Sequence, residues 1–188
     1  MALHKTPDPV EELEAFVDLP ENADRLFEFI GGEIVEVPSN PFSSFIASIF
    51  LTAIMTFVRQ NNLGYVTGEA GGYMVSGERY ASDVGFISKA HQSELPQEGY
   101  NLNRPDLAVE VVSPSDRYKQ KQLLVKISNY LAAGTVVWVV YPEERQVIVH
   151  ETGKPVRIHN QDDTLDGGDV LSGFTLPVRD IFSQMRTC

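Results

Sequence analysis

The stretch "RPDLAVEVVSPSDR", residues 104 to 117, restricts the fold more than any other part of the chain. Side chains alternate across a strand, so Leu107, Val109 and Val111 share one face. That face is wholly apolar and must meet a core. Asp106, Ala108, Glu110 and Val112 share the other face. Glu110 sits there with valine on both sides, and a carboxylate so placed needs a counter-charge, a proton or a metal.

The segments around this strand alternate in type. Residues 9 to 17, "PVEELEAFV", read as a short helix with proline and acidic residues in its first turn. "LFEFIGGEIVEVP" reads as a hairpin turning at Gly31-Gly32. In "SNPFSSFIASIFLTAIMTFVRQN", Ser39 or Asn40 can cap a central helix whose first position is Pro41. Strands follow in "GYVTGE", "GYMVSG" and "ASDVGFIS", and a polar loop then leads to the strand above. A helix is expected from about Asp116, with Ser115 as its cap, to Ala133, with Gly134 as its stop. "TVVWVVYP" and "QVIVHE" form a second hairpin, and "DVLSGFTLPVRDIFS" gives a last strand and a short helix. Mixed strands with helices packed on them make an α/β or α+β fold, read as one domain over residues 1–188.

Other properties limit the function. The formal net charge of −11 weighs against a large nucleic-acid footprint, which normally shows as a basic face. A small contact bridged by a divalent ion stays open, because such ions take carboxylates. The only cysteine is Cys188, so no internal disulfide forms, which suits a reducing cytoplasm. The apolar run "FIASIFLTAIMTFV" is shorter than the roughly 20 residues a membrane span needs. A soluble cytoplasmic protein without membrane contact is the expectation.

Asp83 in "ASDVGFIS" lies among apolar residues, as Glu110 does. Two strands that each carry such an acid can bring the acids together for a hard cation such as Mg²⁺. Asp83 also admits a plainer reading as a solvated strand cap, and Asp106 after Pro105 reads as a turn residue. On the following helix Lys119, Leu123, Lys126 and Tyr130 fall close to one line. Leu124, Ile127 and Leu131 lie beside that line, facing the core, which places Lys126 at the border of the buried face. Ser113 and Ser115 lack a nucleophile elbow, "GEAGG" lacks a P-loop ending, and the histidines lack metal-ligand spacing. No organic cofactor site is expected.

A strand acid, then "RPDLAVEVVSPSDR", then a helix bearing lysine resembles the PD-(D/E)XK nuclease superfamily. More closely, the series resembles the bacterial family labelled "putative restriction endonuclease". "LFEFIGGEIVEVP", "ASDVGFIS", "KISNYLAAGTVVWVVYPEERQVIVH" and "VLSGFTLPVRDIF" continue the likeness in order. The resemblance implies a restriction-endonuclease-like core, a central mixed sheet flanked by helices with an N-terminal hairpin. It implies that Asp83 and Glu110 hold Mg²⁺, or Mn²⁺ in its place, with the carbonyl of Val111. In the usual motif a lysine stands two residues after the second acid, where this chain has Val112. The matching lysine is Lys126, in "KISNY". Glu36 is the auxiliary acid the resemblance suggests, with Glu28 and Glu33 competing for that place.

The sequence departs from the family at Ser82, which stands where proline is usual, and in "PSNPFSSF", which lacks a histidine. Tyr141 replaces an acid before proline. The expected activity is metal-dependent endonucleolytic cleavage of DNA, with a homodimer by analogy to other members of the superfamily. The rival is a non-catalytic nucleic-acid-binding or assembly protein that keeps the fold.

Overall fold

A computed structural model describes residues 9–37, 40–113 and 120–184. Helix α1 (Pro9–Val17) and a 3-10 turn (Pro20–Asn22) come first. The hairpin of β1 (Phe27–Ile30) and β2 (Glu33–Glu36) turns at Gly31 and Gly32. Their φ angles of 61° and 84° lie in the left-handed region, which glycine enters without a Cβ clash. Helix α2 (Pro41–Gln60) is capped by Asn40, whose side chain accepts from the N–H groups of Phe42 and Ser43. Ser39, the other expected cap, lies outside the described residues.

The strands β3 (Gly64–Gly68), β4 (Tyr73–Val75), β5 (Glu78–Tyr80), β6 (Val84–Ser88) and β7 (Leu107–Val111) follow. After α3 (Gln120–Ala133) come β8 (Val136–Tyr141), β9 (Gln146–His150), β10 (Arg157–His159), β11 (Thr164–Asp166), β12 (Thr175–Pro177) and α4 (Val178–Ile181). Pro114, Ser115, Asp116 and Lys119, expected at the start of α3, lie outside the described residues. The sequence reading missed β5, β10 and β11. Each is three residues long and carries charge, too short for a period-two pattern to register.

A six-stranded sheet in the order β10-β9-β8-β7-β6-β3 forms the centre, and a four-stranded sheet in the order β2-β1-β5-β4 stands beside it. The sheet is mixed: β7 pairs in parallel with β8 and antiparallel with β6. Every residue of β7 is buried. Its odd-numbered face meets Ile46, Phe50, Ile54 and Val58 of α2, as the apolar pattern required. Phe174, Leu176, Ile181 and Phe182 close the same side. On the other face Ala108, Val137 and Val139 meet Ile30, Tyr73 and Tyr80 of the small sheet and Ile127 and Tyr130 of α3.

Two sequence expectations change. Helix α2, with 20 residues, is long and apolar enough to cross a membrane by length and composition, because it extends past the apolar run at both ends. In the fold its Ile46, Phe50 and Ile54 are fully buried against the sheet. Leu124, expected toward the core, is 66% exposed. The axis of α3 is rotated so that Lys126, Ile127 and Tyr130 take the buried face.

Candidate active site

Asp83 stands immediately before β6 rather than within it. The register pairs Val84 with Val109, so the next step sets Asp83 across from Glu110. Residues opposite one another in a sheet point to the same face. The carboxylate of Asp83 accepts the N–H of Val111 at 2.6 Å, which fixes it beside the end of β7.

Lys126 reaches Glu110 from α3. Its Nζ donates to Glu110 Oε2 at 2.7 Å and to Glu28 Oε1 at 2.8 Å. One helical turn on, Tyr130 donates its hydroxyl to Glu110 Oε1 at 3.0 Å. Both oxygens of Glu110 are thus engaged from a single helix face, the geometry that residues four apart provide. Glu28, on β1, also accepts the N–H of Ala81 at 2.7 Å. All four side chains are buried or nearly so: Glu28 is 6% exposed, Glu110 7%, Lys126 6% and Tyr130 fully enclosed.

Of the hairpin acids it is Glu28 that bonds Lys126, while Glu36, the suggested auxiliary acid, lines the same cavity. Glu36 lies on the outer strand of the hairpin and bonds Arg25 at 2.6 and 2.9 Å, with about half its side chain exposed. The alternation of β1 and its pairing with β5 turn Glu28 inward. Tyr130 follows Lys126 in helical phase, but only the position of Glu110 reveals what it touches. Glu78 braces the cluster from behind. It accepts from the N–H of Gly31 at 2.6 Å and from Asn129 at 2.9 Å, and it pairs with the Tyr80 hydroxyl. The Tyr80 ring lies 5.5 Å from the Lys126 ammonium. Asp106 is held apart from this site by Arg104, His91 and the N–H of Ser88, in keeping with its reading as a turn residue.

Burial sets the electrostatics. Asp83 is pushed up to about 6, first by desolvation and then by the charges of Glu28 and Glu69; the Val111 N–H and Lys126 oppose the rise. Glu110 is pushed well above the carboxylate range by desolvation, against the attraction of Lys126. For Lys126 desolvation favours the neutral amine, but Glu110 and Glu28 outweigh it and hold the ammonium. Desolvation keeps the Tyr130 phenol protonated, so it serves as a donor. Three carboxylates face one ammonium, which leaves two negative charges uncompensated when all are ionised.

Glu28, Asp83, Glu110 and Lys126 line a cavity of about 520 Å³ between the hairpin, the end of β7, the start of α2 and α3. Val112, where the common motif has lysine, is on its wall, as is Tyr141. Ser82 is fully buried.

The family model described as Uma2, putative restriction endonuclease, matches residues 13–179. The chain belongs to the Uma2 family. No curated protein matches it. Among solved structures, one from Anabaena variabilis ATCC 29413, titled a putative nuclease belonging to DUF820, superposes with a TM-score of 0.77. That alignment covers 91% of this chain and 97% of the other at 22% identity, a likeness of fold. The Uma2 chain thus has a nuclease-type fold with a mixed central sheet flanked by helices.

Among the described residues no group of three or more His, Cys, Asp or Glu is placed to hold a metal ion. Mg²⁺ needs fewer, since it keeps several waters and takes one or two carboxylates together with substrate phosphates. Asp83 and Glu110 supply two, and the excess of three carboxylates over the Lys126 ammonium favours a cation. Each Glu110 oxygen has a second lone pair beyond the bond it already accepts. The residues fit such an ion in number and in charge.

Proposed function

We propose that this Uma2 protein is a metal-dependent endonuclease that hydrolyses phosphodiester bonds in DNA. The observation that carries the reading is the convergence of Asp83, Glu110 and Lys126, from two strands and a helix, on one cavity. Family membership supports the substrate class, and the TM-score of 0.77 supports the fold that carries it.

Asp83, Glu110 and the carbonyl of Val111 would hold Mg²⁺ or Mn²⁺. When bound, that ion supplies Lewis-acid charge next to the scissile phosphate and acidifies a nearby water. Lys126 stays protonated between Glu110 and Glu28, so it acts as a fixed positive charge for the phosphate oxygens rather than as a base. Tyr130 and Lys126 hold the Glu110 carboxylate in one orientation. Glu28 holds the other side of the ammonium, so Lys126 cannot swing freely out of the cavity. Each chain carries one such cluster among its described residues, and cutting both strands in a single binding event takes two such clusters. A homodimer is the assembly we propose for that purpose.

Incubation of the purified protein with supercoiled plasmid and Mg²⁺ or Mn²⁺ tests the reading. Wild type should nick or linearise the plasmid, and Glu110→Ala should not. Absence of cleavage with every divalent ion would sink the proposal.

One observation favours the non-catalytic alternative: Lys126 already neutralises part of the acid cluster without a metal. Calorimetric titration with Mn²⁺ separates the two. Saturable binding lost in Asp83→Asn supports the nuclease, and no binding to wild type supports a retained fold that binds without cutting.

A further inference from the structure

Three elements each bring one charged and one apolar side chain to the cavity. Glu28 and Val35 face one another across the N-terminal hairpin. Glu110 and Val112 are two apart, and the N–H of Val112 continues the ladder of β7 by donating to the Val140 carbonyl at 2.9 Å. They therefore share a face. Leu123 and Lys126, three apart, lie on one side of α3. The register sets Glu110 beside Val139 and Val111 beside Val140, so the next step brings Tyr141 beside Val112.

The charged members are joined through Lys126. The apolar members, Val35, Val112, Leu123 and Tyr141, pack against one cluster that contains Ile30, Tyr80 and Val139. All four are only partly buried, and all four line the cavity. A lysine at 112, as in the common motif, would put a charge in this patch; valine leaves it apolar. The cavity thus has two parts, an acid cluster with its ammonium and an apolar patch bearing a phenol ring.

The charges decide what can cover that patch. Among the described residues lining the cavity, Lys126 is the one lysine and there is no arginine. Glu36, Glu69, Glu143 and Glu144 add to the three acids of the cluster. Duplex DNA is held through many phosphates by basic side chains, and this cavity offers them one cation. Its volume of about 520 Å³ is that of a pocket for a single small molecule. One phosphate at the acid cluster, joined to one flat and neutral base on the patch, matches both parts. A base reaches such a patch only after leaving the stack and its pairing partner.

We propose that the cavity takes an unpaired nucleotide, its base stacked on the Tyr141 ring against Val35, Val112 and Leu123 and its phosphate at the acid cluster. This deepens the endonuclease reading above and rests on it. The substrate is DNA unpaired at the point of cutting, a single strand or a duplex opened by negative supercoiling. Tyr141 determines specificity for strand state and not for sequence, because every base has a π face to stack.

The experiment has two readouts. Backbone amide resonances of the Mg²⁺-loaded protein are followed while deoxyadenosine, which has no phosphate and cannot be cut, is titrated in. Separately, kcat/KM is measured for a single-stranded oligodeoxynucleotide and for linear duplex of the same sequence. Wild type should give saturable shifts at Val112, Leu123 and Tyr141, and should cut the single strand about tenfold faster or more. Tyr141→Ala should bind deoxyadenosine about tenfold more weakly, the loss expected for one stacked base. It should also lower the preference for the single strand, whereas a merely structural role would slow both substrates alike. Tyr141→Phe keeps the ring and should match wild type. Leu123→Ala, on a different element, should weaken deoxyadenosine binding as well, and serves if Tyr141→Ala does not fold. Equal cutting of the two substrates, an unchanged preference in Tyr141→Ala, or shifts confined to other walls overturns the proposal even if wild type cuts DNA. Shifts with deoxyadenosine, and with the single strand but not the duplex, in a protein that cuts nothing uphold the base position and remove the nuclease reading. Deoxyadenosine binding with no preference for the single strand assigns the patch to a free nucleoside and overturns its role on DNA.

Discussion

Lys126 Nζ lies 2.7 Å from Glu110 Oε2, joining α3 to the central strand β7 inside a buried site. An ammonium and a carboxylate so enclosed depend on each other, because removal of one leaves the other charged and dry. Lys126→Ala should therefore destabilise the fold by about 3–5 kcal/mol. Lys126→Met combined with Glu28→Gln and Glu110→Gln should recover most of that loss, since the triple change removes the charges together. Urea denaturation of the set decides the matter; equal stability of Lys126→Ala and wild type would show the pair to be solvated.

Glu110→Gln keeps the size of the side chain and its bond with Tyr130 but removes the negative charge. Mn²⁺ binding should fall below detection by calorimetry, and plasmid cleavage should be lost with it. Retention of either would remove Glu110 from the proposed ligand set.

Asp83 gives a pH signature in the metal-free protein. Its carboxyl is raised from the ordinary 3.8 to about 6 in the fold, so the folded state binds the proton more tightly than the unfolded state does. The stabilisation is complete below pH 4 and is lost as pH rises through 6. Asp83→Asn should be the more stable protein at pH 7, by on the order of 3 kcal/mol, the equivalent of about two pKa units. The two proteins should converge below pH 4. A wild-type stability that instead climbs between pH 4 and pH 6 contradicts the assignment.

Tyr130→Phe deletes the donor to Glu110 Oε1 and leaves the ring packed against Tyr80 at 5.2 Å. The loss of one hydrogen bond to a charged group should cost about 1.5–3 kcal/mol. Differential scanning calorimetry would read it as a lower Tm. An unchanged Tm would mean that the Glu110 oxygen finds another donor.

Gly85 sits on β6 beneath the Tyr73 ring of the small sheet, and a Cβ there would come within 2.5 Å of that ring. Gly85→Ala should therefore push the two sheets apart and lower the thermal midpoint. Restoration by a second change, Tyr73→Leu, would confirm that the ring is the obstacle; an unaltered midpoint in the single variant would show the sheets to be compliant.

Much of this was legible in the residues. The apolar odd-numbered face of β7, the cap and proline of α2, and the Gly31-Gly32 hairpin follow from local chemistry, which acts over a few neighbours. Lys126 and Tyr130 were in phase on one helix, a relation that periodicity alone provides. That Glu28 is the hairpin acid bonded to Lys126 was not available. It depends on which face of the hairpin meets α3, a contact between segments 98 residues apart. The outward turn of Leu124 was lost for the same reason, since the rotational setting of α3 is fixed by the sheet beneath it.

That span of 98 residues between Glu28 and Lys126 bears on how the molecule is made. Closing so long a loop is entropically costly until the hairpin and α3 are both docked on the central sheet. During synthesis Glu28, Asp83 and Glu110 all leave the ribosome before Lys126 does. The nascent chain thus carries its acids before their cation. A chain that stops before α3 therefore has the acids but lacks the centre.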